Sequence, residues 1–254
     1  MKKWLACVLG AVFLWGGTAS AYDIQAVAAK TLPKSFTYRS VPETQHLAFM
    51  GRDIPYTMGQ LAVTLRRSGR FASGYLLKST LPAEMNERMR HYFLLNPDRE
   101  AWEGLIAFNR ALMTPGTPFR TGIEASFARL ADEIVGEEKG KAVQVELSEF
   151  EPLRRLSQGE AYLFTTGGKV TYSVDGLLYP MYIRVYFFPG AGGAETLALL
   201  TPDEGKEPLV YAIDDLARAA AKEELLGREG YQDLNVLLAR AQTERKEKEE
   251  QGQQ

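Results

Sequence analysis

The sequence predicts an α+β protein: an antiparallel β-meander sheet packed by helices, with a smaller strand-plus-helix N-terminal half. Three observations carry that expectation. From Val143 to Leu200 apolar residues alternate with polar ones in runs of strand length. The breaks between those runs are short and glycine-bearing, and short turns join antiparallel neighbours, because a parallel pair needs a long crossover. Between Thr80 and Ile134 the apolar side chains recur instead at helical spacing.

The chain opens Met1-Lys2-Lys3, runs from Trp4 to Trp15 without a charge, and continues Gly16-Gly17-Thr18-Ala19-Ser20-Ala21. A positive start, an apolar stretch and small residues at Ala19 and Ala21 are, in that order, the pattern of an export signal cleaved after Ala21. A permanent anchor needs ~17–25 apolar residues, more than this run supplies. Cys7 does not mark a lipidation site, because most of the apolar run follows it. It is also the only cysteine, so residues 22–254 form no disulfide and depend on their core. The expected product is extracytoplasmic, either periplasmic or secreted, with no membrane span in its mature form. Its formal net charge of −2 becomes more negative once Lys2 and Lys3 leave, which argues against nucleic acid or anionic lipid as partners.

Phe36 to Val41 alternates like a strand and stops at Pro42, and Leu47 to Gly51 is a second candidate. Leu61, Val63 and Leu65, then Phe71, Ser73, Tyr75 and Leu77, flank Ser68-Gly69 and predict a β-hairpin. Thr80-Leu81-Pro82 opens a helix through Phe93, and Asn96-Pro97-Asp98 opens another carrying Trp102, Leu105, Ile106 and Leu112. Thr114-Pro115-Gly116-Thr117-Pro118 is the clearest linker and divides an N-terminal half, 22–118, from a C-terminal half, 119–242. Thr121-Gly122-Ile123-Glu124 fits a capping box for a helix through Ile134.

Strands follow at 143–147, 162–164, 170–174, 181–188, 195–200 and 209–213, with turns expected at Gly167-Gly168, Asp175-Gly176 and Gly190-Ala191-Gly192-Gly193. Asp214-Asp215 caps a helix through Leu225, and a last helix follows Gly230. Residues 243–254 lack any apolar side chain and form a disordered polar tail. Gly51…Pro55 and Gly176…Pro180 share two residues, which is ordinary punctuation before strands.

Motifs for chemistry are sparse. His46 and His91 are the only histidines, in no zinc-binding spacing, and Asp203-Glu204-Gly205-Lys206-Glu207 is too short for a calcium loop; no metal and no cofactor is expected. Gly190–Gly193 does not open a helix, and Gly167-Gly168-Lys169 is followed by Val170, so neither cradles phosphate. Without a G-x-S-x-G elbow, Glu149 and Glu151 are the pair from which an acid–base hydrolase would be built.

The strand Met181–Phe188 carries the candidate binding site. Period two puts Met181, Ile183, Val185 and Phe187 on a core face, and Tyr182, Arg184, Tyr186 and Phe188 on the other. A guanidinium between aromatic rings suits a carboxylate, a sugar or a peptide, and Tyr162, Phe164, Tyr172 and Tyr179 extend the row. The preferred reading is a non-catalytic envelope protein that binds a small molecule, glycan or protein partner. The alternatives are a carboxylate-dependent hydrolase of extracellular substrates and an interaction protein docking through its C-terminal helix, Tyr231–Lys248.

Overall fold

The computed structural model describes residues 22–49, 52–64, 69, 71–80, 99–135, 144–158, 161–174, 176–189 and 194–226. Thr80, expected to open a helix, instead ends a strand, and the export signal, residues 81–93 of that helix with His91, the Gly190–Gly193 turn, the last helix and the tail lie outside the described residues.

In chain order the elements are α1 (Ile24–Thr31), β1 (Phe36–Phe49), β2 (Arg52–Thr64), β3 (Phe71–Thr80), α2 (Arg99–Met113), α3 (Pro118–Val135), β4 (Gln144–Gln158), β5 (Ala161–Val174), β6 (Leu177–Pro189), β7 (Ala194–Pro202) and α4 (Glu207–Leu226). The strands form one open antiparallel sheet in the order β1-β2-β3-β7-β6-β5-β4. The expected α+β class is found, and strands from both halves of the chain meet in this sheet at the β3–β7 pair.

Each local difference from expectation has a physical cause. Gly167 and Gly168 lie inside β5 rather than at a turn, so 161–174 is a single strand. A Cβ at Gly167 would stand 2.6 Å from the Tyr182 hydroxyl, so the glycine serves a close side-chain approach. Residues 209–213 belong to α4 instead of a strand, and Asp214 and Asp215 sit within the helix. There Leu209, Ile213, Leu216, Ala217, Ala220 and Ala221 form one buried stripe at helical spacing. Helix α3 begins at Pro118, earlier than the capping box suggests, because the Thr117 hydroxyl accepts from the Arg120 amide at 3.3 Å and Pro118 fits the first turn.

The paired residues Phe49 and Arg52 are separated by two residues, the second a glycine, and so are Val174 and Leu177. Gly176 has φ 79°, the left-handed geometry such a two-residue turn demands. Superposing the hairpins on these glycines matches Pro55 with Pro180, β2 with β6, and through their partners Leu76 with Leu199. Leu76 and Leu199 are themselves paired across β3 and β7. A local two-fold axis therefore passes between them, relating β1-β2-β3 to β5-β6-β7. Pro55 and Pro180 thus hold corresponding places in β2 and β6.

The main core lies on one sheet face. Leu61, Val63, Leu76, Leu163, Tyr186, Phe188, Leu197 and Leu199 meet the α4 stripe, with Tyr22, Ile24, Val27 and Ala28 of the α1 segment packed alongside. On the opposite face, α2 and α3 lie towards β4, where Arg120 stacks on Phe150 at 4.9 Å from the ring centroid. Helix α3 also touches β1. Both outer strands carry register shifts, between Val41 and Gln45 and between Ser148 and Arg154, of the kind that bends a strand.

Candidate functional site

The row Tyr182, Arg184, Tyr186 and Phe188 lies on the main-core face, under α4, and all four residues are buried. Arg184 has a side chain only 5% exposed and grips two carboxylates. Its Nε and Nη2 donate to Asp214 Oδ1 and Oδ2 of α4 at 2.8 and 3.1 Å, and its Nη1 donates to Glu151 Oε2 of β4 at 2.8 Å. The Tyr186 hydroxyl also donates to Asp214 Oδ1, at 2.8 Å, while the Tyr182 hydroxyl and Arg154 bond to Glu151. The cluster therefore ties β4, β6 and α4 together.

Burial works against the charge on Glu151, but the Tyr182 hydrogen bond and the guanidinium groups of Arg184 and Arg154 outweigh it and hold the carboxyl below its ordinary value. Burial first, and then the bond to Glu151, pushes Tyr182 up to about 12. Glu149 sits apart from this network at the β4 bulge with φ 50°, a left-handed geometry that strains a non-glycine residue, and faces Lys169 at 3.6 Å. Lys169 also meets Asp203 at 3.3 Å, and Asp203 bonds Lys206, whose ammonium lies 4.6 Å from the centroid of Tyr182. In a two-carboxylate hydrolase Glu151, held ionised, fits the base or nucleophile and not the acid.

A second polar cluster sits deeper. Lys78 Nζ lies 4.0 Å from the Tyr22 ring centroid and donates to the Tyr22 carbonyl at 3.2 Å. Burial, and then the charge and hydrogen bond of Glu195, push the Tyr22 phenol well above its ordinary value; burial lowers Lys78. Glu195 and Glu224 are fully buried beside them.

An exposed combination of arginine and aromatic rings exists on the opposite face of the other half. The register aligns Arg39, Gln60 and Tyr75 side by side across β1, β2 and β3, and all three are exposed. Thr37, Thr64, Phe71 and Ser73 share that face and are exposed as well. Beyond the end of β7, Tyr179 of β6 belongs to the same face. Phe71, Tyr75 and Tyr179 are 67%, 39% and 49% exposed. The two-fold axis provides an internal control. Arg39, Gln60 and Tyr75 correspond to Thr166, Val185 and Ala198, the equivalent cross-strand row, which is buried. One position in the fold thus carries small or apolar residues where it is covered, and a guanidinium, an amide and a phenol where it is open.

Within 37–41 of β1 and 55–64 of β2, and in the rows they share with β3, Arg39 is the charged residue that the alternation puts on this face. Sequence reading placed Phe71, Ser73 and Tyr75 on a strand but did not single them out. The available signal was polarity: the intervening Ala72, Gly74 and Leu76 are small or aliphatic, as a covered face requires.

His46 is exposed on β1 opposite Pro55. Among the described residues no group of three or more His, Cys, Asp or Glu side chains could hold a metal, and no helix is long and apolar enough to cross a membrane.

No known protein family and no curated protein matches the chain. Among solved structures it is similar to LpqN, described as involved in cell envelope biogenesis of Mycobacterium tuberculosis, at 13% identity and a TM-score of 0.30, over 73% of this chain and 77% of that one. A likeness that loose carries no argument about function.

Proposed function

We propose that this chain is an exported, non-catalytic binding protein of the cell envelope, and that it takes its ligand on the open sheet face around Arg39, Gln60 and Tyr75. Export rests on the pattern through Ala19 and Ala21, which leaves Tyr22 as the first residue of the product. The observation that carries the binding reading is the contrast across the two-fold axis. The covered row holds Thr166, Val185 and Ala198, and its uncovered counterpart displays a guanidinium, an amide and a phenol together with exposed Phe71 and Tyr179. Large exposed aromatic side chains gathered on one surface are a mark of binding sites.

The test is purification of the protein from the envelope of its producing cell, with mass spectrometry of the amino terminus and of the material carried along. The expected product begins at Tyr22, and its bound material is lost from an Arg39→Ala/Tyr75→Ala variant of unchanged melting temperature. Retention of the same material by that variant would sink this assignment of the site. A second reading has Tyr182, Arg184, Tyr186 and Phe188 contact the ligand; it requires α4 to lift from the sheet, and an Arg184→Ala variant that loses ligand without losing stability would favour it.

A further inference from the structure

We infer that the open face takes an extended glycan bearing carboxylates; this deepens the binding reading above and rests on it. This surface is the face of a sheet, where the backbone groups of β2 and β3 are engaged in ladders on both sides. A peptide that binds by adding a strand needs an open edge. Recognition here must come from side chains.

Those side chains are of three kinds. Phe71, Tyr75 and Tyr179 provide ring faces, against which the C–H faces of pyranose rings pack. Thr37, Gln60, Thr64 and Ser73 supply hydroxyls and an amide, each able to donate and to accept, as a rim of sugar hydroxyls requires. Arg39 supplies a guanidinium, which can hold a carboxylate through two parallel hydrogen bonds. In the row of Arg39, Gln60 and Tyr75 and in the two rows beside it, Thr37–Ala62–Ser73 and Val41–Met58–Leu77, no Asp or Glu stands next to the guanidinium.

Size agrees with a chain of several sugars. From β1 to β6 the platform crosses four strand spacings, about 19 Å, and from Tyr75 to Phe71 it runs about 13 Å along the strand. Phe71 and Tyr179 stand at one level on either side of the place where β7 ends, since the Asp203 amide donates to the Pro180 carbonyl at 3.0 Å and continues the ladder there.

Calorimetric titration of residues 22–254 with hexagalacturonate and with neutral cellohexaose tests the inference. Hexagalacturonate should bind at least tenfold more tightly than cellohexaose. Arg39→Ala should erase that preference, and Tyr75→Ala should weaken both ligands at least tenfold, with the melting temperature of each variant unchanged. Equal binding of the two hexasaccharides, unaffected by Arg39→Ala, would overturn the acidic ligand while leaving the site in place. Failure to bind either one, in a protein whose native material is still lost on Arg39→Ala/Tyr75→Ala substitution, would overturn the glycan class in favour of a protein partner. If that native material is also retained, the binding reading itself fails.

Discussion

Arg184 holds Asp214 with two of its three guanidinium nitrogens, Nε and Nη2, at 2.8 and 3.1 Å, fastening the middle of the sheet to the helix that covers it. The remaining nitrogen reaches Glu151 on the outer strand β4, so one buried cation joins three elements.

Removing that cation leaves the Asp214 carboxylate beneath α4 with only the Tyr186 hydroxyl donating to it, and takes a guanidinium from Glu151. Breaking a buried pair from one side costs about 3–5 kcal/mol. Arg184→Ala should therefore melt well below the wild type. A melting temperature within a degree or two of the wild type would remove the structural role argued here.

Gly167 is a second sensitive position, through sterics rather than charge. A Cβ there would meet the Tyr182 hydroxyl at 2.6 Å and the Ile183 carbonyl oxygen at 3.0 Å. The phenol can shift, but only by disturbing its bond to Glu151. Gly167→Ala should cost about 1–3 kcal/mol, as overpacking does. Denaturant unfolding would measure it, and an unchanged midpoint would refute the close-approach account.

Acid should loosen the same region. The Glu151 carboxyl titrates below its ordinary value in the folded chain, and so does Asp203, chiefly through its bond to Lys206. A lowered carboxyl value contributes stability that is complete above the unfolded value, about 4.3 for Glu. That contribution is lost as pH falls through the folded value. Melting temperature should accordingly hold from neutral pH down to about 5 and fall below that. Glu151→Gln should lower stability at neutral pH and flatten the acid limb. An equally steep acid limb in the variant would show that Glu151 contributes nothing to it.

The two-fold axis makes its own forecast. Leu76 and Leu199 pair across it and are 1% and 0% exposed, with the same α4 stripe above them. Leu→Ala at either site should cost about 2–5 kcal/mol. The two losses should be alike, and in the double variant less than additive, because contacting residues share one cavity. Strict additivity in unfolding experiments would show that the two leucines do not pack as a pair.

Much of the fold was legible because strand and turn signals are local. The alternation through 181–188 and the glycine after Asp175 mark β6 and its hairpin without reference to anything distant. Where the reading went astray, a local signal had two meanings. Paired glycines at 167–168 look like a turn, yet they make room for Tyr182; the run 209–213 alternates like a strand, yet it continues into a helical stripe.

The site was less legible for a related reason. Alternation separates Tyr182, Arg184, Tyr186 and Phe188 from Ile183, Val185 and Phe187, but says nothing of which set a helix will cover. The fully buried aromatic pair Tyr186 and Phe188 meets α4, whose stripe begins with residues read as a strand. Likewise Arg39 and Tyr75 lie far apart in the chain, and only the β1–β2 and β2–β3 registers bring them into one row.

By itself, then, the amino-acid order determined the α+β class, the antiparallel meander and the helical segments around 99–135, since these follow from periodicity and turn chemistry within a few residues. Tertiary structure decided that β3 pairs with β7, that α4 covers Arg184, and that Arg39 and Tyr75 remain in the open. Those outcomes depend on long-range packing, in which apolar stripes from distant segments compete for the two faces of a single sheet.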